Sequence, residues 1–122
     1  MPSFNPSQVP SISTLFDSDG DNTAQACKTS DGYIYGIQVT NTNTADAYLQ
    51  LFDVAATGVT VGTTTPKLSF FVPAGDGTNA GAVDHFFGKP ISFNTAITYA
   101  CTTTATGNGD PTTGLTVNIL YV

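Results

Sequence analysis

The sequence predicts an all-β protein, an antiparallel, jelly-roll-like β-sandwich of about seven to nine short strands. Three observations point there. The first is composition: 36 of 122 residues are Thr, Val or Ile, Glu, Arg and Trp are absent, and Leu, Met, Gln and Lys are few. β-Branched side chains suit a pleated surface and lose rotamer freedom in a helix, and most strong helix formers are missing. The second is periodicity. Several stretches alternate apolar with small or polar residues, and none keeps a helical period over two turns. The third is punctuation. The 12 Gly and 7 Pro, with Asn and Asp, gather between those stretches, where turns require them.

The elements follow in chain order. Residues 1–10 hold three prolines and no periodicity, and proline removes a donor and fixes φ, so they read as an extended arm. Residues 11–16 suit a short edge strand, and Asp17-Ser18-Asp19-Gly20-Asp21-Asn22 a turn cluster. The arm is therefore placed at residues 1–22 and the sandwich domain at 23–122. A weak strand is expected within 23–29 and a turn at Ser30-Asp31-Gly32. In 33–40, Tyr33, Tyr35, Ile37 and Val39 form the expected core face. In 47–54 both faces carry apolar groups, which predicts a central or covered strand. Residues 55–66 predict a long loop with a short strand near Val59–Val61.

In 67–72, Leu68, Phe70 and Val72 share a face until Pro73–Gly77 breaks the strand. Residues 83–87 and 91–93 read as two short pieces split by Gly88-Lys89-Pro90. In 96–104, Ile97, Tyr99 and Cys101 alternate with Thr98, Ala100 and Thr102. In 115–122, Leu115, Val117, Ile119 and Tyr121 alternate with Thr116, Asn118 and Leu120. The predicted core is Tyr35, Ile37, Val39, Leu49, Leu51, Phe70, Val72, Ile97, Tyr99, Val117 and Ile119.

Charge closes several functional classes. Three lysines, no arginine and a net charge of −6 build no basic patch for a phosphate backbone or an anionic membrane, so neither nucleic acid nor membrane is an expected partner. No apolar run reaches spanning length, and the N-terminus lacks a basic and apolar leader, which predicts synthesis in a cytoplasm. With only 10% charged residues, little keeps neighbouring copies apart, which points to assembly. Lys28, Lys67 and Lys89 sit at expected strand ends, too few to guard every edge, so an arm or another copy is expected to cover some of them.

Candidate chemistry is thin. Carboxylates at 17, 19 and 21 alternate as calcium ligands do, but an EF-hand needs Gly at the sixth position and Glu at the twelfth, and these are Asn22 and Lys28. His85 is the sole histidine and has no nucleophile in a known spacing. Cys101 falls on an apolar face as a small buried hydrophobe, and Cys27 and Cys101 are expected to be thiols. The reading is no catalytic residues, no metal and no cofactor, hence no enzyme. What remains is binding: Phe4, Val9, Ile12 and Phe16 are apolar anchors on a proline-held segment, suited to grooves on a partner.

The second half of the chain resembles small β-sandwich structural proteins of tailed bacteriophages. The resemblance runs over about residues 34–122 and rests on six stretches. They are Ala45–Asp53 with its Leu49-Gln50-Leu51-Phe52-Asp53, Gly62–Pro66, Val72–Gly75, Gly88–Phe93, Ala96–Thr104 and Val117–Tyr121. It implies a non-enzymatic virion component: a capsid decoration or cement protein, a homotrimer on the capsid surface that binds the major capsid protein and stabilises the assembled shell. The rival reading is a phage tail or receptor- or glycan-binding sandwich module.

Overall fold

The computed structural model describes residues 11–122. Eight strands appear in order: β1 (Ser13–Gly20), β2 (Gln25–Lys28), β3 (Gly32–Asn41), β4 (Ala47–Phe52), β5 (Leu68–Val72), β6 (Gly81–Phe93), β7 (Ile97–Thr102) and β8 (Leu115–Tyr121). They form two antiparallel four-stranded sheets, β1-β8-β3-β6 and β2-β7-β4-β5. The ladders β1·β8, β2·β7, β3·β6 and β4·β5 pair the first strand with the last and work inward. That is a long hairpin rolled over on itself, the winding of a jelly roll. The expected all-β sandwich is the observed architecture.

Between the sheets, Ile37, Val39, Leu49, Leu51, Val72, Ile97, Tyr99, Cys101, Leu115, Val117 and Ile119 are buried, joined by Ile34 and Phe93. Phe70 lies half-buried against them. Tyr35 does not join them. A β-bulge falls between Ile34 and Gly36, where Ile34 and Gly36 face the consecutive residues Tyr121 and Leu120. The extra residue, Tyr35, moves the inward period back by one, so Ile34 is fully buried and Tyr33 is exposed.

Three further expectations are corrected. The arm does not reach residue 22: Ser13–Gly20 pair with β8, and Leu15 packs against the core. The physical reason is that β8 would otherwise leave one edge of its backbone groups unpaired. Residues 81–93 are one strand, not two pieces. Phe87-Gly88-Lys89-Pro90 bulge out opposite Tyr35, between the Gly36↔Phe86 and Ile34↔Ile91 pairs, and β6 is an edge strand, where a proline without N–H is tolerated. No strand forms at Val59–Val61; a 3₁₀ turn at Ala56–Gly58 begins a coiled connection there. β4 is central, between β7 and β5, as its two apolar faces predict.

Candidate interaction surface

The outer face of the β1-β8-β3-β6 sheet follows from register. Ile37 and Val39 point to the core, so Gly36, Gln38 and Thr40 point out. Their ladder partners share that face. One row across the sheet is Phe16, Asn118, Gln38 and Asp84; the next is Thr14, Leu120, Gly36 and Phe86. Beyond them lie Tyr33 opposite Ser92, Val122 hydrogen-bonded to Tyr33 in both directions, and Ile12 just before the Ser13↔Tyr121 pair. Ile12, Phe16, Tyr33 and Phe86 are 47, 69, 48 and 71% exposed, and they are four of the five exposed large hydrophobics among the described residues. A Cβ built on Gly36 would stand 2.8 Å from the Phe86 ring, so glycine here gives the ring room to lie close over the strand.

Two of the four predicted anchors, Ile12 and Phe16, therefore stand on one open face. Phe4 and Val9 lie outside the described residues. Tyr33, Phe86 and Leu120 were not anticipated. They come from segments far apart in sequence; alternation puts Leu120 outward, but it puts Tyr33 on the expected core face, and only the bulge at Tyr35 turns Tyr33 out.

The opposite sheet hides its outer face. Phe52, Gln50, Thr98, Ala100 and Thr102 are fully buried there, beneath the chain's own connections. Gln50 Nε2 donates to Thr102 Oγ1 at 2.7 Å, to Gly107 O at 3.0 Å and to Thr104 O at 3.3 Å, tying the loop after β7 over β4. Thr98 Oγ1 donates to Val54 O at 2.6 Å. Phe71, on the edge strand β5, is the fifth exposed hydrophobic and meets Tyr48 edge-on at 5.5 Å.

Acidic residues serve as fasteners. Asp17 Oδ2 accepts the Tyr99 hydroxyl at 2.8 Å while its Oδ1 accepts the Asp19 N–H, and Asp21 Oδ1 accepts the Thr23 N–H. Burial, then the neighbouring Asp17, raises the Tyr99 phenol above its ordinary range. Among the described residues no three His, Cys or Asp side chains gather as a metal site. Asp53 accepts N–H groups from Asn94, Thr95 and Ala96; slight burial acts against its charge, but these donors hold its carboxyl below the usual range. Asp46 accepts the Ala74 N–H at 3.0 Å. Asp76 closes the turn at Gly77, whose φ is +89°, and N–H and side-chain bonds from Asn79, with one from Thr78, bring its pKa to about 2.

His85 lies among Phe70 and Phe87, with ring centroids 5.4 and 6.3 Å away, while Asp84 points to the other face of β6. The two do not form a dyad. Cys27 and Cys101 are free thiols, and burial raises each to about 12, far from a reactive thiolate. A shallow depression between the 42–45, Gly77 and 112–113 loops is lined by Thr and Asn side chains and holds no aromatic platform.

The surface is thus shaped for apolar contact, and its polar groups serve structure. Comparison of the chain with protein-family models and with curated proteins finds no match.

Proposed function

We propose that this chain is a non-enzymatic virion protein of a tailed phage, a capsid decoration or cement protein that assembles with itself and binds the major capsid protein on the surface of the assembled shell. The observation that carries the reading is the open outer face of the β1-β8-β3-β6 sheet. A jelly roll that covers one sheet with its own loops leaves four large hydrophobics exposed on the other. Large apolar side chains exposed together on one face suit protein contact. The phage-like stretches add support. Asp46, Gln50 and Asp53 within them fasten loops and turns, so they describe a rigid scaffold built to present a surface.

The work of such a protein is mechanical. A partner that binds only the assembled shell stabilises it by RT ln(1 + [L]/Kd), and an oligomer that engages several capsomers gains further through effective concentration. The test is co-sedimentation of the purified protein with undecorated capsids, with copy number per particle measured. Saturable binding at a repeated position on the shell, with a rise in the disruption temperature of the capsid, is the expected result. No binding, or a few copies located at the tail, overturns the cement reading and favours a tail module.

A further inference from the structure

We infer that the open outer face of the β1-β8-β3-β6 sheet seats a second copy of this chain, the two faces meeting across a two-fold axis. This names the partner for the surface on which the proposed function rests, and it is testable without a shell.

Shape is the first argument. Phe16 and Phe86 stand on the two edge strands of the sheet. Between them β8 and β3 project only Asn118, Leu120, Gly36 and Gln38, which makes a trough with an aromatic ridge on either side. The Phe86 ring lies over Gly36 of the neighbouring strand, so two inter-strand steps of ~4.8 Å, about 10 Å, separate it from the Phe16 ridge. Two faces displaced by about half that width place each copy's Phe86 in the other's trough. That contact is reciprocal, as an isologous interface requires.

Area is the second. At roughly 200 Å² for a fully exposed aromatic side chain, the exposed fractions of Ile12, Phe16, Tyr33 and Phe86 amount to roughly 450 Å². The half-exposed rim of Leu120, Val122 and the polar rows extends this toward the roughly 800 Å² per partner of a standard interface.

Charge is the third. Two copies at −6 repel, so contact costs least where few carboxylates point outward. The rows from Ile12 to Phe16 hold Asp84 alone; on the same sheet Asp17 turns to the Tyr99 hydroxyl and Asp19 lies beside Gly114, while Asp46, Asp53, Asp76 and Asp110 lie in connections. An anionic, apolar-faced chain is best matched by a partner with an uncharged apolar face of its own, and every copy carries one.

The experiment is sedimentation equilibrium of the full chain over a wide concentration range. The expected species is a dimer at twice the chain mass. Substituting Phe16→Ser together with Phe86→Ser should weaken it about a hundredfold, as loss of two central aromatics does. Gln38→Asp, which adds a like charge to each trough, should weaken it too. Phe71→Ser, on the other sheet, should leave it unchanged. Circular dichroism confirms that each variant keeps its β spectrum. A wild-type monomer at every concentration, a trimer, or variants that associate as the wild type does would each overturn the inference. Capsid co-sedimentation of the same variants is scored separately, so that a failed dimer and a failed cement reading are distinguishable.

Discussion

The two sheets of this sandwich share one core and differ on the outside. The β2-β7-β4-β5 sheet buries Phe52, Gln50, Thr98, Ala100 and Thr102 on its outer side, under connections tied down by the Gln50 and Thr98 side chains. Every residue of β7 is buried, so that strand behaves as interior on both faces. Among the described residues nothing covers the β1-β8-β3-β6 sheet in this way, and Phe16, Tyr33 and Phe86 stand in solvent. The same chemistry, an aromatic on the outward phase of a strand, is thus buried on one sheet and exposed on the other. What separates the cases is the connections. Those after β4 and β7 are long enough to fold back over their own sheet, and among the described residues none does so over the other.

Substitution should expose that difference. The largest effect is expected at Phe52, outward yet fully buried: Phe52→Ala should cost about 3–5 kcal/mol by chemical denaturation, the range of a core phenylalanine. A loss below 1 kcal/mol (about the scale of a surface site) would show that the loops do not seal the sheet.

Alkaline pH should act next, on the shared core. Burial raises the Cys27 and Cys101 thiols from about 9 to about 12 in the folded chain. A raised acid contributes stability that is fully present below its unfolded value and is lost as pH rises toward the folded one. Thermal melts should therefore be flat in this respect below pH 9 and fall between pH 9 and 12, while both thiols resist alkylation at neutral pH until the chain unfolds.

Gln50→Ala should cost about 1–3 kcal/mol, because it leaves the Gly107 carbonyl without its donor and removes one of the two donors to the Thr104 carbonyl beneath the loop. Faster hydrogen exchange through residues 103–110 would accompany it. Phe86→Ser should change monomer stability by less than about 0.5 kcal/mol, as exposed sites do, and a larger loss would make the open face part of the fold. Removal of divalent cations with EDTA should leave the melting temperature unchanged, since the Asp17 and Asp21 carboxylates already accept protein donors.

Much of the fold was legible because alternation is local. β4, β5, β7 and β8 follow their period-two patterns, and β4 announced its central place through apolar residues on both faces. The misreadings sit where an extra residue enters a ladder. Tyr35 looks inward by simple alternation and is displaced by the bulge beside it. Pro90 looks like a strand break and is instead absorbed in the bulge of an edge strand. The Asp, Ser, Gly and Asn residues at 17–22 read as a turn cluster that ends the arm at residue 22, whereas the β8 pairing that begins at Ser13 runs through to Gly20.

The candidate surface was half legible. Ile12 and Phe16 stood out as apolar anchors near the N-terminus, but Tyr33, Phe86 and Leu120 join them only through register across four strands. By itself the sequence determined the class of fold, the inward residues of most strands, the lack of a basic surface and most of the turn positions, since each depends on composition or on neighbours a few residues away. Only the tertiary structure decided which strands pair, which outer face the loops cover and which aromatics remain in water. Those are consequences of long-range pairing, and no local pattern carries them.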